Sequence, residues 1–211
     1  MNICFSCGAY RADKVIDPDG PYAICPVCSY KHRFLQLPLL IVSGASGTGK
    51  STICSALTGT VQFAVLLDSD ILLRFDRPET NFRAYIEMWL RLCKNISQSG
   101  KPVVLFSAGM GVPENMEPCV ERRYFSELHY LALTCDDEVL ADRLRKRPKW
   151  RASAEEEHVS FNRWFKDNAC KTDPPIMLLD TTDVPIPDIG DRVAAWMLER
   201  IDAASEEGDL V

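Results

Sequence analysis

The sequence predicts an α/β protein: a five-stranded parallel sheet with helices on both faces, three layers in all, preceded by a small module built on cysteines. Three observations carry this. Five short, uniformly apolar runs follow Pro38, with helical periodicities between them; a glycine-rich loop ending in lysine follows the first run; and two Cys-x-x-Cys pairs lie upstream of Pro38. At 211 residues the chain suits one medium domain plus a small module better than two equal domains. The expected division is residues 1–36, residues 37–204, and a solvated tail at residues 205–211.

The composition narrows the functional classes. Twenty-four basic residues stand against 30 acidic ones, a formal charge of −6, with 46% of residues hydrophobic. A dedicated nucleic-acid coat or a protein held on anionic lipid needs a basic surface, so this balance speaks against both. Residues 1–8 show no charged stretch followed by an apolar one, and no apolar run approaches the ~20 residues that span a bilayer. These features predict a cytoplasmic protein with no membrane partner.

Four of the nine cysteines form the pairs Cys4-x-x-Cys7 and Cys25-x-x-Cys28; the others, Cys54, Cys93, Cys119, Cys135 and Cys170, are scattered. Two thiolates two residues apart grip one metal from a tight turn, and a second such turn completes a tetrahedron. Short strands are expected at residues 10–15 and 22–24, around the turn Asp17-Pro18-Asp19-Gly20. This resembles a zinc ribbon, with Cys4, Cys7, Cys25 and Cys28 as ligands of a structural Zn²⁺ that replaces the core so short a segment lacks. His32 reads as a surface histidine in preference to a ligand. The module carries four basic and three acidic groups, and a tetrathiolate zinc site takes about two charges off that balance. A docking or stabilising role fits this near-neutral surface better than binding a phosphate backbone.

The five apolar runs, residues 39–42, 63–67, 103–106, 130–134 and 176–179, read as strands buried on both faces. Phe82, Tyr85, Ile86, Trp89, Cys93 and Ile96 recur at helical steps, as do Ile189, Val193, Trp196, Met197 and Ile201, and both sets read as core stripes. Ligands of such folds sit beyond the carboxyl ends of the strands. The first strand end carries Gly44-Ala45-Ser46-Gly47-Thr48-Gly49-Lys50-Ser51, a full match to G-x-x-x-x-G-K-[ST] in strand-loop-helix context. Backbone amides and the helix N-terminus suit phosphates, Lys50 the β/γ-phosphates, and Ser51 a Mg²⁺ ion, with Thr52 beside it. The second strand ends in Asp68-Ser69-Asp70. One carboxylate there can hold the metal shell and the other can receive a proton from an attacking hydroxyl.

This arrangement resembles the P-loop small-molecule kinases, the shikimate-kinase and nucleotide-kinase group, over roughly residues 38–202. The resemblance implies a P-loop NTPase fold, ATP and Mg²⁺ as cofactors, Asp68 near the metal and Asp70 at the acceptor. It also implies that Arg83, in Phe82-Arg83, grips substrate, that Gly109 belongs to a glycine-rich substrate loop, and that residues 179–185 surround the adenine. The triple glycine of shikimate kinases is missing from Ser107-Ala108-Gly109-Met110-Gly111. Residues 142–151 hold six basic side chains and one aspartate. There Arg147-Pro148 resembles the family's lid, with Arg147 and Arg151 closing over the transferred phosphoryl group, and Arg143 and Arg163 as further phosphate contacts. The leading reading is therefore a kinase for a small metabolite, a nucleoside or nucleotide first. A nucleic-acid-associated ATPase or end-processing enzyme stands second, and a nucleotide-dependent switch that recruits a partner through the ribbon third. Acceptor identity and oligomeric state are not written in these motifs.

Overall fold

A computed structural model describes residues 2–17, 19–72, 81–147 and 154–208, with side chains through 204. The N-terminal module is a three-stranded antiparallel sheet of β1 (Val15–Asp17), β2 (Tyr22–Ile24) and β3 (Lys31–Arg33). The strand expected at residues 10–15 starts only at Val15. Tyr10 makes a single bridge to Ile3, and Arg11 and Asp13 pair with each other across a bend.

The larger sheet is wholly parallel. Its strands are β4 (Leu39–Ser43), β5 (Val65–Asp68), β6 (Val103–Phe106), β7 (Leu128–Thr134) and β8 (Ile176–Asp180), in spatial order β5-β6-β4-β7-β8. The fourth strand, β7, starts two residues before the expected run because Leu128 and His129 pair with Leu39 and Leu40. Helices α1 (Lys50–Leu57), α2 (Phe82–Ser97), α3 (Pro113–Met116), α4 (Asp137–Arg145), α5 (Glu155–Asn168) and α6 (Ile186–Gly208) complete the chain. The last of these runs into the segment expected to be a tail. Among the described residues no helix is long and apolar enough to cross a membrane.

Alternation along β4 divides the core. Leu39 and Ile41 face one layer with Tyr85, Ile86 and Trp89 of α2 and Phe165 of α5. Leu40 and Val42 face the other with Ile53 and Leu57 of α1 and Val193, Trp196 and Met197 of α6. All five residues of β4 are buried, so its hydrophobic run is explained by helices on both sides. Both helical stripes read from the sequence are core stripes.

The cysteine module is fused to this body. Lys94 of α2, fully buried, pairs with buried Glu121, and both bond Asn2 of the module. Arg91 reaches the same carboxylate at 2.8 Å, and the Lys94 ammonium lies 3.9 Å over the Tyr124 ring. Tyr124 donates its hydroxyl to the Ala12 carbonyl at 2.7 Å and packs edge-on against Phe34. Gln98 closes a two-way amide pair with the Leu35 backbone, at 2.9 and 3.0 Å.

Removing one partner from a buried ion pair leaves a desolvated charge behind, at about 3–5 kcal/mol. Glu121→Ala is therefore expected to lower unfolding free energy by about that amount, read as a reduced urea midpoint. The exposed pair Lys146–Asp142 is the control, where Asp142→Ala changes stability by less than about 1 kcal/mol.

Candidate active site and metal centre

The loop from Gly44 to Lys50 is shaped by three glycines in left-handed conformations, Gly44 (φ 135°), Gly47 (φ 95°) and Gly49 (φ 106°). A Cβ at Gly44 would lie 2.3 Å from the Leu133 carbonyl oxygen, so this position has no room for a side chain. The loop is braced from within: Thr48 donates its hydroxyl to the Ala45 carbonyl at 2.9 Å. Lys50 Nζ donates to the Gly44 and Ala45 carbonyls at 2.7 and 2.9 Å. Burial pushes the Lys50 ammonium down to about 8, against the pull of Asp70 and Asp68. Ser51 and Thr52 stand exposed in the first turn of α1.

Strand β5 delivers the two carboxylates. Asp68 is its last residue, paired in register with Phe106, and accepts the Asp70 backbone amide at 3.0 Å. Between them, Ser69 offers its carbonyl to the buried Tyr85 hydroxyl at 3.1 Å. Burial and the neighbouring Asp68 push the Asp70 carboxyl above its ordinary value, while Lys50 and Arg147 pull it back. Lys50, Asp68, Asp70 and Arg147 thus share one electrostatic neighbourhood at the carboxyl edge of the sheet.

A cavity of about 280 Å³ opens on the other side of the loop, lined by Gly47, Thr52, Arg143, Arg147, Thr181 and Ile189 among others. Arg143 donates to the Thr181 and Thr182 carbonyls at 2.8 and 2.9 Å, which fixes its guanidinium as part of the wall. Thr181 in turn donates to the Thr48 carbonyl at 3.3 Å, tying this segment to the phosphate loop.

The remaining expected residues are distributed differently. Arg83 donates to the Pro118 carbonyl and lies 3.5 Å from Glu87. Arg163 is held by Asp137 at 2.8 Å, beside Lys166, at the start of α4 rather than at the loop. Gly109 lies under Phe82, whose ring would sit 2.9 Å from a Cβ there. Arg151 and Pro148 lie outside the described residues. Two features had no sequence signal. His158 of α5 sits where Lys50 and Arg147 act on it and burial lowers its pKa. Ser43 donates to the Ala108 carbonyl at 2.9 Å, with Gly111 packed so closely that a Cβ would fall 1.9 Å from the Ser43 hydroxyl oxygen.

The four module cysteines converge, with their sulfurs all within 4.8 Å of one another; Cys4–Cys28 and Cys7–Cys25 are 3.6 and 3.9 Å apart. A tetrahedron with Zn–S bonds of about 2.3 Å has edges of about 3.8 Å, so the donor set fits Zn²⁺. These separations are far beyond a disulfide's ~2.05 Å. Amide hydrogens, first that of Cys7, draw the Cys4 thiol down to about 5. His32 corrects its expectation: it is buried at 5% exposure, edge-on to Phe5 and Tyr30 beside the cluster. Strand β3, unforeseen in the sequence, turns it inward.

A family model described as an AAA domain matches residues 40–160, more than half of the chain. The chain belongs to that family. Its fold is also that of a sugar kinase from Janibacter sp. HTCC2649, solved unliganded. That match has a TM-score of 0.60 and 18% identity, covering 79% of this chain and 97% of that one. A gluconokinase from Sinorhizobium meliloti 1021 superposes with a TM-score of 0.55 and 18% identity, over 83% of this chain and 99% of that one. A shikimate kinase from Acinetobacter baumannii in complex with shikimate gives 0.52 and 18%, over 77% and 94%. No curated protein sequence matches the chain. The doubly covered sheet is thus a fold shared with kinases of small molecules, as the sequence motifs imply.

The sulfur geometry yields a metal prediction. Protein purified without chelator should carry one zinc per chain by elemental analysis, and Cys4→Ser should lower that occupancy by about tenfold or more. A cobalt-exchanged sample should show tetrahedral d–d absorption and thiolate charge-transfer bands.

Proposed function

We propose that the chain is an ATP- and Mg²⁺-dependent phosphotransferase acting on a hydroxyl or phosphate group of a small metabolite, with nucleosides and nucleotides the first candidates. The observation that carries this reading is the placement of Asp68 and Asp70 at and just beyond the end of β5, in one charged cluster with Lys50 of the phosphate loop and Arg147.

In this reading the cavity beside Arg143 takes the base, the backbone from Gly44 to Gly49 the phosphates, and Ser51 with Asp68 the metal. A few protein oxygens suit Mg²⁺, which keeps several waters. When bound, the ion would supply charge neutralisation for the phosphates. Asp70 orients the acceptor and takes its proton as the acceptor oxygen bonds to the γ-phosphorus. The bond from that phosphorus to the β–γ bridging oxygen breaks, and the diphosphate leaves with the electron pair. Lys50 and Arg147 stabilise the charge spread over the transferring group, Arg151 completes the lid, and Arg83, Gly109 and Arg163 are the proposed substrate contacts. Catalysis consists of positioning and electrostatics. A zinc ion held by Cys4, Cys7, Cys25 and Cys28 would have a structural role, because four thiolate ligands would leave it no open position.

The deciding experiment is a mass-spectrometric transfer assay with zinc-loaded protein, Mg-ATP and pooled nucleosides, nucleotides, sugars and hydroxy acids. A phosphorylated product should appear with the wild type and disappear with Lys50→Ala. Asp70→Asn should lower the transfer rate by about 10²–10⁴-fold while leaving ATP affinity within about threefold. ATP binding without product from any pool would defeat the kinase reading. For the wild type, transfer should fall as pH drops through the Asp70 titration, since the base works only when ionised.

A second pH effect acts on binding. Lys50 attracts phosphate only when charged and titrates at about 8. Nucleotide dissociation constants should be flat below pH 7 and rise about fivefold between pH 8 and 9. Titration calorimetry of the wild type, with Lys50→Ala showing no such rise, checks this.

A further inference from the structure

Strand β8 closes one side of the sheet and, among the described residues, pairs only with β7. Its residues Ile176 to Leu179 carry no charge, and Met177 and Leu178 are 48% and 37% exposed. An exposed apolar edge strand is a template for another strand, and proteins ordinarily guard such edges with charge or cover. The opposite edge strand, β5, has no exposed residue.

Helix α6 lies along this edge. Between it and β8 runs a groove of about 300 Å³ lined chiefly by Met177, Leu179, Arg192, Ala195, Trp196 and Glu199. The groove's two charges are opposite in sign and seven residues apart, one to each side of the Ala195–Trp196 midpoint. Seven residues of helix span about 10 Å. Glu199 is 64% exposed at its side chain, with Arg200 at 3.3 Å from its carboxylate. Leu198, on the same stretch of helix, is 41% exposed.

We infer that this edge is an isologous dimer interface whose occupant is a second copy of the chain. A two-fold axis normal to the sheet sets β8 antiparallel to its counterpart and, on the same face, α6 antiparallel to its counterpart. With the axis level with Ala195–Trp196, Arg192 meets Glu199 of the partner subunit, and the reverse pair forms by symmetry. The same operation buries Met177 and Leu178 and joins the two sheets into one of ten strands. A foreign strand would satisfy the outer backbone of β8 as well, whereas a second copy also sets Arg192 and Glu199 against their opposites at matching spacing.

The test is sedimentation equilibrium of the full zinc-loaded chain from roughly 1 to 100 µM. The wild type should approach twice the 23.7 kDa of one chain. Arg192→Glu and Glu199→Arg should each weaken dimerisation by about tenfold or more through like-charge contacts, and the double variant Arg192→Glu/Glu199→Arg should recover to within about threefold. Met177→Lys, at an exposed position, should abolish the dimer with an unchanged circular dichroism spectrum. A monomer at every concentration, single variants that dimerise like the wild type, or a double variant that stays as weak as the singles would each overturn the inference. None of these residues belongs to the proposed catalytic machinery.

Discussion

Everything in the larger body is arranged around the complete burial of β4. A strand hydrogen-bonded on both sides and covered on both faces must be apolar along its whole length, and it can end only where the sheet ends. Its last residue, Ser43, is already fixed by its bond to the Ala108 carbonyl, and the loop that follows is pressed against Leu133 of β7. The glycines at 44, 47 and 49 are the means by which the chain leaves so crowded a strand end and turns at once into α1. The parallel outer strands β5 and β8 deliver Asp68 and Thr181 to the same carboxyl end of the sheet, so the site is a product of strand direction before it is a product of chemistry.

That origin explains which residues were legible in the sequence. Features fixed by backbone geometry, the phosphate loop, the Asp68-Ser69-Asp70 strand end and the paired cysteines, have spacings that only one local structure satisfies. The five strands and the two long amphipathic helices were equally readable, because burial on a face leaves a period. The partners of Arg83 and Arg163 were not legible in the same way. A long cation has many partners within reach, and the fold gave these two to the Pro118 carbonyl and Asp137, carboxylates and carbonyls brought near by elements far away in sequence. His32 and His158 fail for the opposite reason: a single histidine has no periodicity, and its surroundings are set by packing. The edges of β5 and β7 shifted by two residues because partners, not propensity, decide where a ladder begins and ends.

The cysteine module shows how a segment too small for a core becomes part of a rigid body. Its interior is the cluster of four cysteine sulfurs, a donor set that fits a metal ion, and a few aromatic contacts around Phe34 and Tyr124. Its attachment is a buried ion pair. Such a pair is a poor source of stability, since desolvation offsets most of the attraction. It is a strong source of specificity, because Lys94, Glu121 and Asn2 satisfy one another in one docking geometry. A purely apolar patch would permit the module to slide; this one fixes its register against α2.

Helix α2 therefore has two obligations. Its C-terminal half, through Arg91, Lys94 and Gln98, holds the module. Its N-terminal half, through Tyr85, holds the Ser69 carbonyl between the two aspartates, and through Phe82 it covers Gly109. Sixteen residues of helix transmit position efficiently, because the helix is buried along one stripe and cannot bend without opening the core around Trp89. The placement of Asp70 is thus set from two directions, by β5 through the backbone and by α2 through a single hydroxyl. The module enters that frame by fixing the far end of the same helix, which gives the chain a structural reason to carry four clustered cysteines some distance from its phosphate loop.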